Sequence, residues 1–367
     1  MSKLKSSLLI AASLGAVFVG SVTAQDQPTL ELVAEFEHQV TGITVSEDDR
    51  KFVNFPRWTE DSPISVAEVL DDGSIVPYPN EDWNSWRNVK RYELSPQDHF
   101  VCVQSVVADG RGSVFVLDAA APAQSFIVAG GPKLVQIDLA TNAVSKVIAF
   151  DQTVAPQGSY LNDIRFSPDG DFAYITDSGV VGALVVVDLQ SGEARRLLAG
   201  HPSTQVEPDV VVKADGAPLR RPDGRGVEFS ADGIALSNDG DWLYWQAVKG
   251  RTLYRIETET LEDAGLSSEA VAQDVQLVGD NGVADGLLID SQDRLIITAP
   301  EEDALKTRLG EADPEALISD ERLRWPDTLA EGPDGSIYVT TSRIMDMSWF
   351  KPDSPNALPT QLWRVRE

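Results

Sequence analysis

The chain repeats one two-stranded frame, and that repetition limits what it can fold into. Leu161–Asp177, LNDIRFSPDGDFAYITD, opens on a polar residue at Asn162, alternates apolar and polar side chains, turns at Pro168-Asp169-Gly170 and continues as a second apolar strand. The same fourteen-residue frame recurs without gaps at Thr41–Asn54, Asp232–Trp245, Asp285–Thr298 and Asp327–Thr340. Seven residues after each opener come Asp48, Asp169, Asp239, Gln292 and Asp334, each beside a Gly or Asp. Period-two alternation around such a turn is the signature of a β-hairpin. A sixth, less regular copy spans Val103–Asp118, with its turn at Ala108–Gly112 and Gln104 near the opening position. Six hairpins spaced by about 40–70 residues imply radial repetition. The expected fold is all-β: a six-bladed β-propeller whose openers occupy equivalent positions around one axis.

A ring of blades must close. Thr29–Phe36, TLELVAEF, reads as a strand before the first hairpin, and Gln361–Val365, QLWRV, reads as a strand with no sequential partner. Pairing the N- and C-terminal strands in one blade removes both open edges. Lys133–Leu139, Ala183–Leu189 and Thr252–Glu257 read as outer strands of other blades. Thr59–Trp86 and Gly200–Ser230 are long for connectors and are expected as loops over one mouth of the ring. The second carries Lys213, Arg220, Arg221 and Arg225, a basic patch suited to pairing with the acidic body, to an anionic group, or to solvent alone.

That patch stands out because the chain has 58 acidic against 30 basic residues, a formal net charge of −28. Such a charge disfavours nucleic acid and anionic bilayers and favours cations, though it also serves solubility alone. Residues 1–24 read as a signal peptide: Lys3 and Lys5, an apolar run over Leu8–Gly20, then Val22-Thr23-Ala24. The mature domain is then 25–367, exported to the periplasm or outside the cell, with no membrane attachment after cleavage. Cys102 is the one cysteine, flanked by Val101 and Val103, so it reads as a buried structural thiol and leaves no intrachain disulfide.

Several chemistries lack their residues. There is no nucleophile elbow, phosphate loop or zinc-protease helix, and His38, His99 and His201 are scattered. Gly110-Arg111-Gly112 and Gly224-Arg225-Gly226 are turn glycines, so no nucleotide cofactor is expected. The openers are different. Thr41, Asn162, Asp232, Asp285, Asp327 and Gln104 should converge on the central channel. Carboxylates crowded there must share protons, stay hydrated or hold a cation, and oxygen ligands suit calcium or another hard divalent ion. Alternatively these aspartates cap the turns before their strands. Trp58, Trp83, Trp86 and Trp245 lie near the acids in sequence, with Trp325 two residues before Asp327. They are candidates for an aromatic box around an aromatic or ammonium ligand, or for packing between blades.

Seven segments carry a family resemblance: VNFPRW at Val53–Trp58, PYPNEDWNSW at Pro77–Trp86, VQSV at Val103–Val106, NDIRFSPDGDFAYITDSG at Asn162–Gly179, DGIALSNDGDWLYW at Asp232–Trp245, GRTLYRI at Gly250–Ile256 and RWPDTLAEGPDGSIYVTTSRI at Arg324–Ile344. In family order, they resemble the yellow / major royal jelly proteins, in a bacterial member. The resemblance implies a secreted six-bladed propeller whose relatives are pigment-related, nutritive or amine-binding, with dopachrome conversion proposed for some. The paired cysteines of insect members are missing here. More distantly the chain is similar to gluconolactonase-type propellers, which hydrolyse lactones with a divalent cation. That likeness implies Asn162, Asp232 and Asp285 as metal residues, with Thr41-Gly42 standing where those proteins open their first blade with Glu.

The resulting expectation is a propeller that binds a small aromatic or cationic molecule, with isomerisation as the form any conversion of it would take, and with Asn162, Asp232, Asp285, Asp327, Trp58, Trp83, Trp86 and Trp245 at the site. The alternatives are a calcium- or other divalent-cation-dependent lactone hydrolase and a non-catalytic interaction propeller. Exported protein should begin at Gln25 and have the same intact mass with and without reductant. A mass retaining residues 1–24 would sink the cleavage reading.

Overall fold

The computed structural model describes residues 28–367 apart from Glu60 and Ser354; the expected signal peptide lies outside the described residues. Six four-stranded antiparallel sheets follow one another along the chain, and a two-stranded ribbon, Lys213–Ala214 with Ala217–Pro218, stands apart. Each sheet is a blade of a six-bladed propeller. All six expected hairpins are present as the two innermost strands of a blade: Ile43–Val45 with Lys51–Asn54, Val103–Ala108 with Ser113–Asp118, Leu161–Phe166 with Phe172–Asp177, Ala231–Leu236 with Trp242–Ala247, Leu287–Ile289 with Leu295–Ala299, and Pro326–Glu331 with Ile337–Thr341.

The turns form as their residues dictate. In blade three the Ser167 hydroxyl donates to Asp169 at 2.6 Å, and the same carboxylate accepts the Asp171 amide at 3.0 Å. Blade four repeats this with Ser237, Asp239 and Asp241. The following glycines, Gly170 and Gly240, take φ of 78° and 84°. Blades one and five reach the left-handed region with Asp49 and Asp293, both at φ 60°, a conformation aspartate tolerates better than most side chains.

Thr59–Trp86 is not a single covering loop, because it contains Val66–Val69 and Ile75–Pro77, the third and fourth strands of blade one. They are short, four and three residues, and period two leaves little trace in so few. The Gly200–Ser230 connection does remain outside the blades, apart from its small ribbon and the 3₁₀ turn Pro202–Thr204.

The core lies between neighbouring blades. Tyr174, Leu184 and Val186 of blade three meet Ile234, Leu243, Trp245 and Ile256 of blade four. Blades one and two meet through Phe52 and Val66 against Val103, Val106 and Val116. In the last blade Thr29–Phe36 is the outer strand, antiparallel to Thr360–Arg366 from Thr29 opposite Arg366 to Phe36 opposite Thr360. Thr360–Arg366 in turn pairs with Ile337–Thr341, so the two ends of the chain close the ring as the sequence implied.

Deleting residues 361–367 exposes two strand edges and removes Leu362, Trp363 and Val365, all buried. Burial of such side chains contributes about 1.5–3 kcal/mol each, against about 5–15 kcal/mol for a whole domain. The truncated chain should be insoluble or melt far below the intact one. Equal melting curves would refute closure by these strands.

Candidate functional site: an acid cluster at the foot of a vestibule

The openers reach the channel through a repeated irregularity. Strand register slips between Leu161 and Ile164, Ala231 and Ile234, Pro326 and Leu329, and Val103 and Ser105. A slip of this kind re-aims side chains without ending the sheet. In blade three it places both Asn162 and Asp163 beside the central gap. Threonines on the second strands secure the slipped segments. Thr176 accepts the Asp163 amide at 3.2 Å and donates to the Asp232 carbonyl of the next blade at 2.6 Å. Thr340 accepts the Thr328 amide at 3.2 Å and donates to the Thr41 carbonyl. Thr298 accepts from Asp285 and Gly286 at 3.2 and 2.9 Å. The Asp-Gly pairs also have a packing reason. A Cβ on Gly233 would sit 2.2 Å from the Asp285 carbonyl oxygen, and one on Gly286 would sit 2.0 Å from that of Asp327.

Asn162, Asp163, Asp232, Asp285 and Asp327 thereby gather around a gap of about 20 Å³, together with Gln104, Tyr160 and Trp58. This is room for one water-sized group. Asn162 donates its amide to Asp232 at 2.5 Å, and the Trp325 indole N–H donates to Asp285 at 2.6 Å. Thr328 donates to Asp327 at 3.3 Å. These bonds come from side chains, whereas the turn residues Asp169, Asp239 and Asp334 take backbone amides. Turn capping is therefore done by the seventh residues of the frame, and the opening acids are left to the channel.

Burial and mutual repulsion raise the proton affinity of these acids. Burial, opposed by the Trp325 hydrogen bond, raises Asp285 to about 6. Burial and then the charges of Asp285, Asp163 and Asp327 push Asp232 well above the ordinary carboxylate range. Asp327 is raised likewise, by burial and Asp285. Asp163 is raised by burial and opposed by Arg165, whose guanidinium donates to the Leu287 carbonyl at 2.6 Å. On one wall the Trp58 indole donates to the Tyr160 hydroxyl, which donates to Gln104 at 2.8 Å. Cys102 lies behind them, 4.0 Å from Tyr160, its thiol pushed up to about 12 by burial and Asp118. It is the buried thiol its flanking valines implied.

Of the four tryptophans expected at the site, Trp58 alone borders the gap. Trp83 packs on Phe100 with ring centres 5.0 Å apart. Trp86 is fully buried with Val101 and Ala120. Trp245 is fully buried between blades, its indole donating to the Ser203 carbonyl at 2.9 Å. Inter-blade or shell packing accounts for all three. Thr41 is also absent from the gap, its hydroxyl accepting the Asn54 amide at 2.9 Å. Sequence reasoning passed over Asp163, because strict alternation puts it opposite Asn162, and Tyr160 and Phe229, which precede their strands.

Above the gap lies a vestibule of about 190 Å³, sharing Gln124, Tyr160, Ser178 and Phe229 with it. Arg221, Arg225 and Glu228 from the Gly200–Ser230 connection form part of its wall, so this segment does cover one mouth of the ring. As a cation site the cluster fits less well. Among the described residues no three His, Cys, Asp or Glu side chains form a group able to hold a metal ion. The residues implied for a metal, Asn162, Asp232 and Asp285, do gather, yet an amide N–H and an indole N–H are aimed at the two carboxylates. In this arrangement one oxygen of each of these two carboxylates is served by an N–H donor.

Ring and cluster together define a class: a six-bladed propeller with buried carboxylates at the end of an open vestibule. A family model described as major royal jelly protein matches residues 101–343, about two thirds of the chain. The chain belongs to the major royal jelly protein family. The match covers blades two to five and the inner hairpin of blade six. A comparison with curated protein sequences finds no match. Among solved structures the chain is similar to a luciferin-regenerating enzyme (13% identity, 93% of this chain and 95% of that one, TM-score 0.54). It is also similar to a gluconolactonase from Xanthomonas campestris (11%, 92% and 88%, 0.53) and to the calcium-binding protein regucalcin from Agrobacterium tumefaciens (14%, 91% and 95%, 0.53). These likenesses establish the shared fold.

The raised acids make a signed prediction. A carboxyl with an unfolded value of about 3.9 and a folded value near that of Asp285 stabilises the fold below about pH 4, and that contribution is lost as pH rises through about 6. Asp285→Asn should therefore gain stability relative to the parent between about pH 4.5 and 7, by on the order of 2 kcal/mol. Urea unfolding at both pH values measures it. A difference that stays constant with pH would show that Asp285 is not held protonated.

Proposed function

We propose that the chain binds a small molecule in the vestibule and seats its cationic or hydrogen-bond-donating head on Asp232, Asp285 and Asp327. The observation that carries this reading is the cluster itself: four buried carboxyls with raised proton affinity, facing a gap that opens onto a cavity large enough for a single-ring molecule. A cation entering the gap replaces a proton as the partner of the acids, so binding and proton release are coupled. Asn162 orients Asp232, Trp325 orients Asp285, and Trp58 and Tyr160 supply the aromatic wall. Conversion of the ligand would draw on the same groups, since a carboxyl whose value is raised to about 6 can give and take protons near neutral pH. An exported, periplasmic or extracellular protein would meet such ligands outside the cytoplasm.

The cation-dependent lactonase reading draws support from the likeness to gluconolactonase and regucalcin, and rests on Asn162, Asp232 and Asp285 binding calcium or a similar ion. The donors aimed at those carboxylates favour the proton-linked binder over it.

Phenethylamine is a suitable probe. Titrated calorimetrically into protein treated with chelator, it should bind more tightly as pH rises from about 5, approaching tenfold per unit with release of about one proton, until the acids are ionised. Asp232→Asn or Asp285→Asn should weaken it about tenfold or more. Affinity indifferent to pH and to both substitutions would end this reading. Turnover of a small lactone that chelator abolishes and calcium restores would establish the rival.

A further inference from the structure

The vestibule has a second charged end. Arg221 forms part of its wall, half-buried, with its guanidinium 4.7 Å from the ring centre of Trp349 and 5.6 Å from that of Phe350. Its neighbours are already paired: Arg225 with Asp223 at 2.6 Å and Lys249 with Glu228 at 3.1 Å. Arg221 is not. Its Nε is buried without a hydrogen-bond partner, as are those of Arg57, Arg343 and Arg364, but those three donate through their terminal nitrogens; among the described residues Arg221 is the one buried or half-buried arginine whose guanidinium donates to no protein acceptor. Arg50, Arg57, Arg196, Arg294 and Arg324 all meet carboxylates, and Arg165 and Arg195 meet backbone carbonyls. In a chain with 58 acidic side chains against 30 basic ones, acceptors are plentiful, so an unpaired guanidinium facing a cavity points to an acceptor brought by a ligand.

We infer that Arg221 receives a carboxylate, so that the occupant of the vestibule is amphoteric. Its anionic tail lies against the Gly200–Ser230 connection, its amine or donor head lies on the acid cluster, and its apolar body lies along Phe126, Ile127 and Phe229. This rests on the reading of the channel given above and adds the class of ligand. A planar guanidinium backed by an aromatic ring is pre-oriented for two parallel N–H donors to one carboxylate, which lysine does not reproduce. The cavity of about 190 Å³ suits one ring with a short side chain.

Three probes with one ring separate the two ends: phenylalanine, phenethylamine, which lacks the carboxylate, and 3-phenylpropionate, which lacks the amine. Wild type should bind phenylalanine about tenfold or more tightly than phenethylamine. Arg221→Gln should erase that preference, and Arg221→Lys should restore only part of it. Equal affinity of the wild type for the two amines would overturn the inference while the channel reading stands. So would equal weakening of both in Arg221→Gln, which would mean that Arg221 merely props Trp349 and Phe350. Arg221-dependent binding of 3-phenylpropionate without binding of phenethylamine would uphold the anion-receiving end and remove the cationic reading of the acids. Binding of none of the three at millimolar concentration would overturn both.

Discussion

Everything at the axis depends on the antiparallel pairing of Thr29–Phe36 with Thr360–Arg366. The gap draws its polar side chains from five successive blades, Gln104 of the second to Asp327 of the sixth, so the cluster exists only while the ring keeps them in station. With no disulfide available from the single, buried Cys102, that station is kept by strand pairing and by apolar contact from blade to blade. The acids oppose it. Repulsion among Asp163, Asp232, Asp285 and Asp327 is relieved by raised proton affinity and by donors from Asn162 and Trp325, and the remaining cost is carried by the ring.

The repeat made the fold legible. Openers, turns and second strands keep one spacing in five blades, so the frame places even the three-residue inner strands Ile43–Val45 and Leu287–Ile289, whereas the outer strands lie beyond it. What failed to show was short or irregular. Val66–Val69 and Ile75–Pro77 are below the length at which alternation can be recognised, so blade one lost half its strands to an apparent loop. The site was legible to the extent that it follows the frame. Asn162, Asp232, Asp285 and Asp327 fall where their equivalence put them, and Asp163 does not, because a register slip has no signature in a single sequence.

Tryptophan was the least informative residue. Trp58 reaches the gap because its neighbour Arg57 is clamped, donating to the carbonyls of Trp86, Phe100 and Val101 at 2.9–3.0 Å. Trp245 ends a frame that begins with a channel acid, yet its side chain points between blades. Proximity along the chain to a functional residue says little when strands run radially, since a few residues carry the chain away from the axis. The basic patch proved divisible in the same way. Arg221 and Arg225 both border the cavity, yet Arg225 is paired within its own turn and Arg221 is not.

The slips at the mouths of the inner strands have a consequence for how such rings change. Because the opening residues sit off the ladder, held by threonine hydroxyls and by close backbone approach at Gly233 and Gly286, their side chains carry no share of the strand pairing. An acid, an amide or a hydroxyl can be exchanged there with the sheets undisturbed. The axis behaves as a socket with interchangeable pins, and the architecture as a holder indifferent to which chemistry is plugged in.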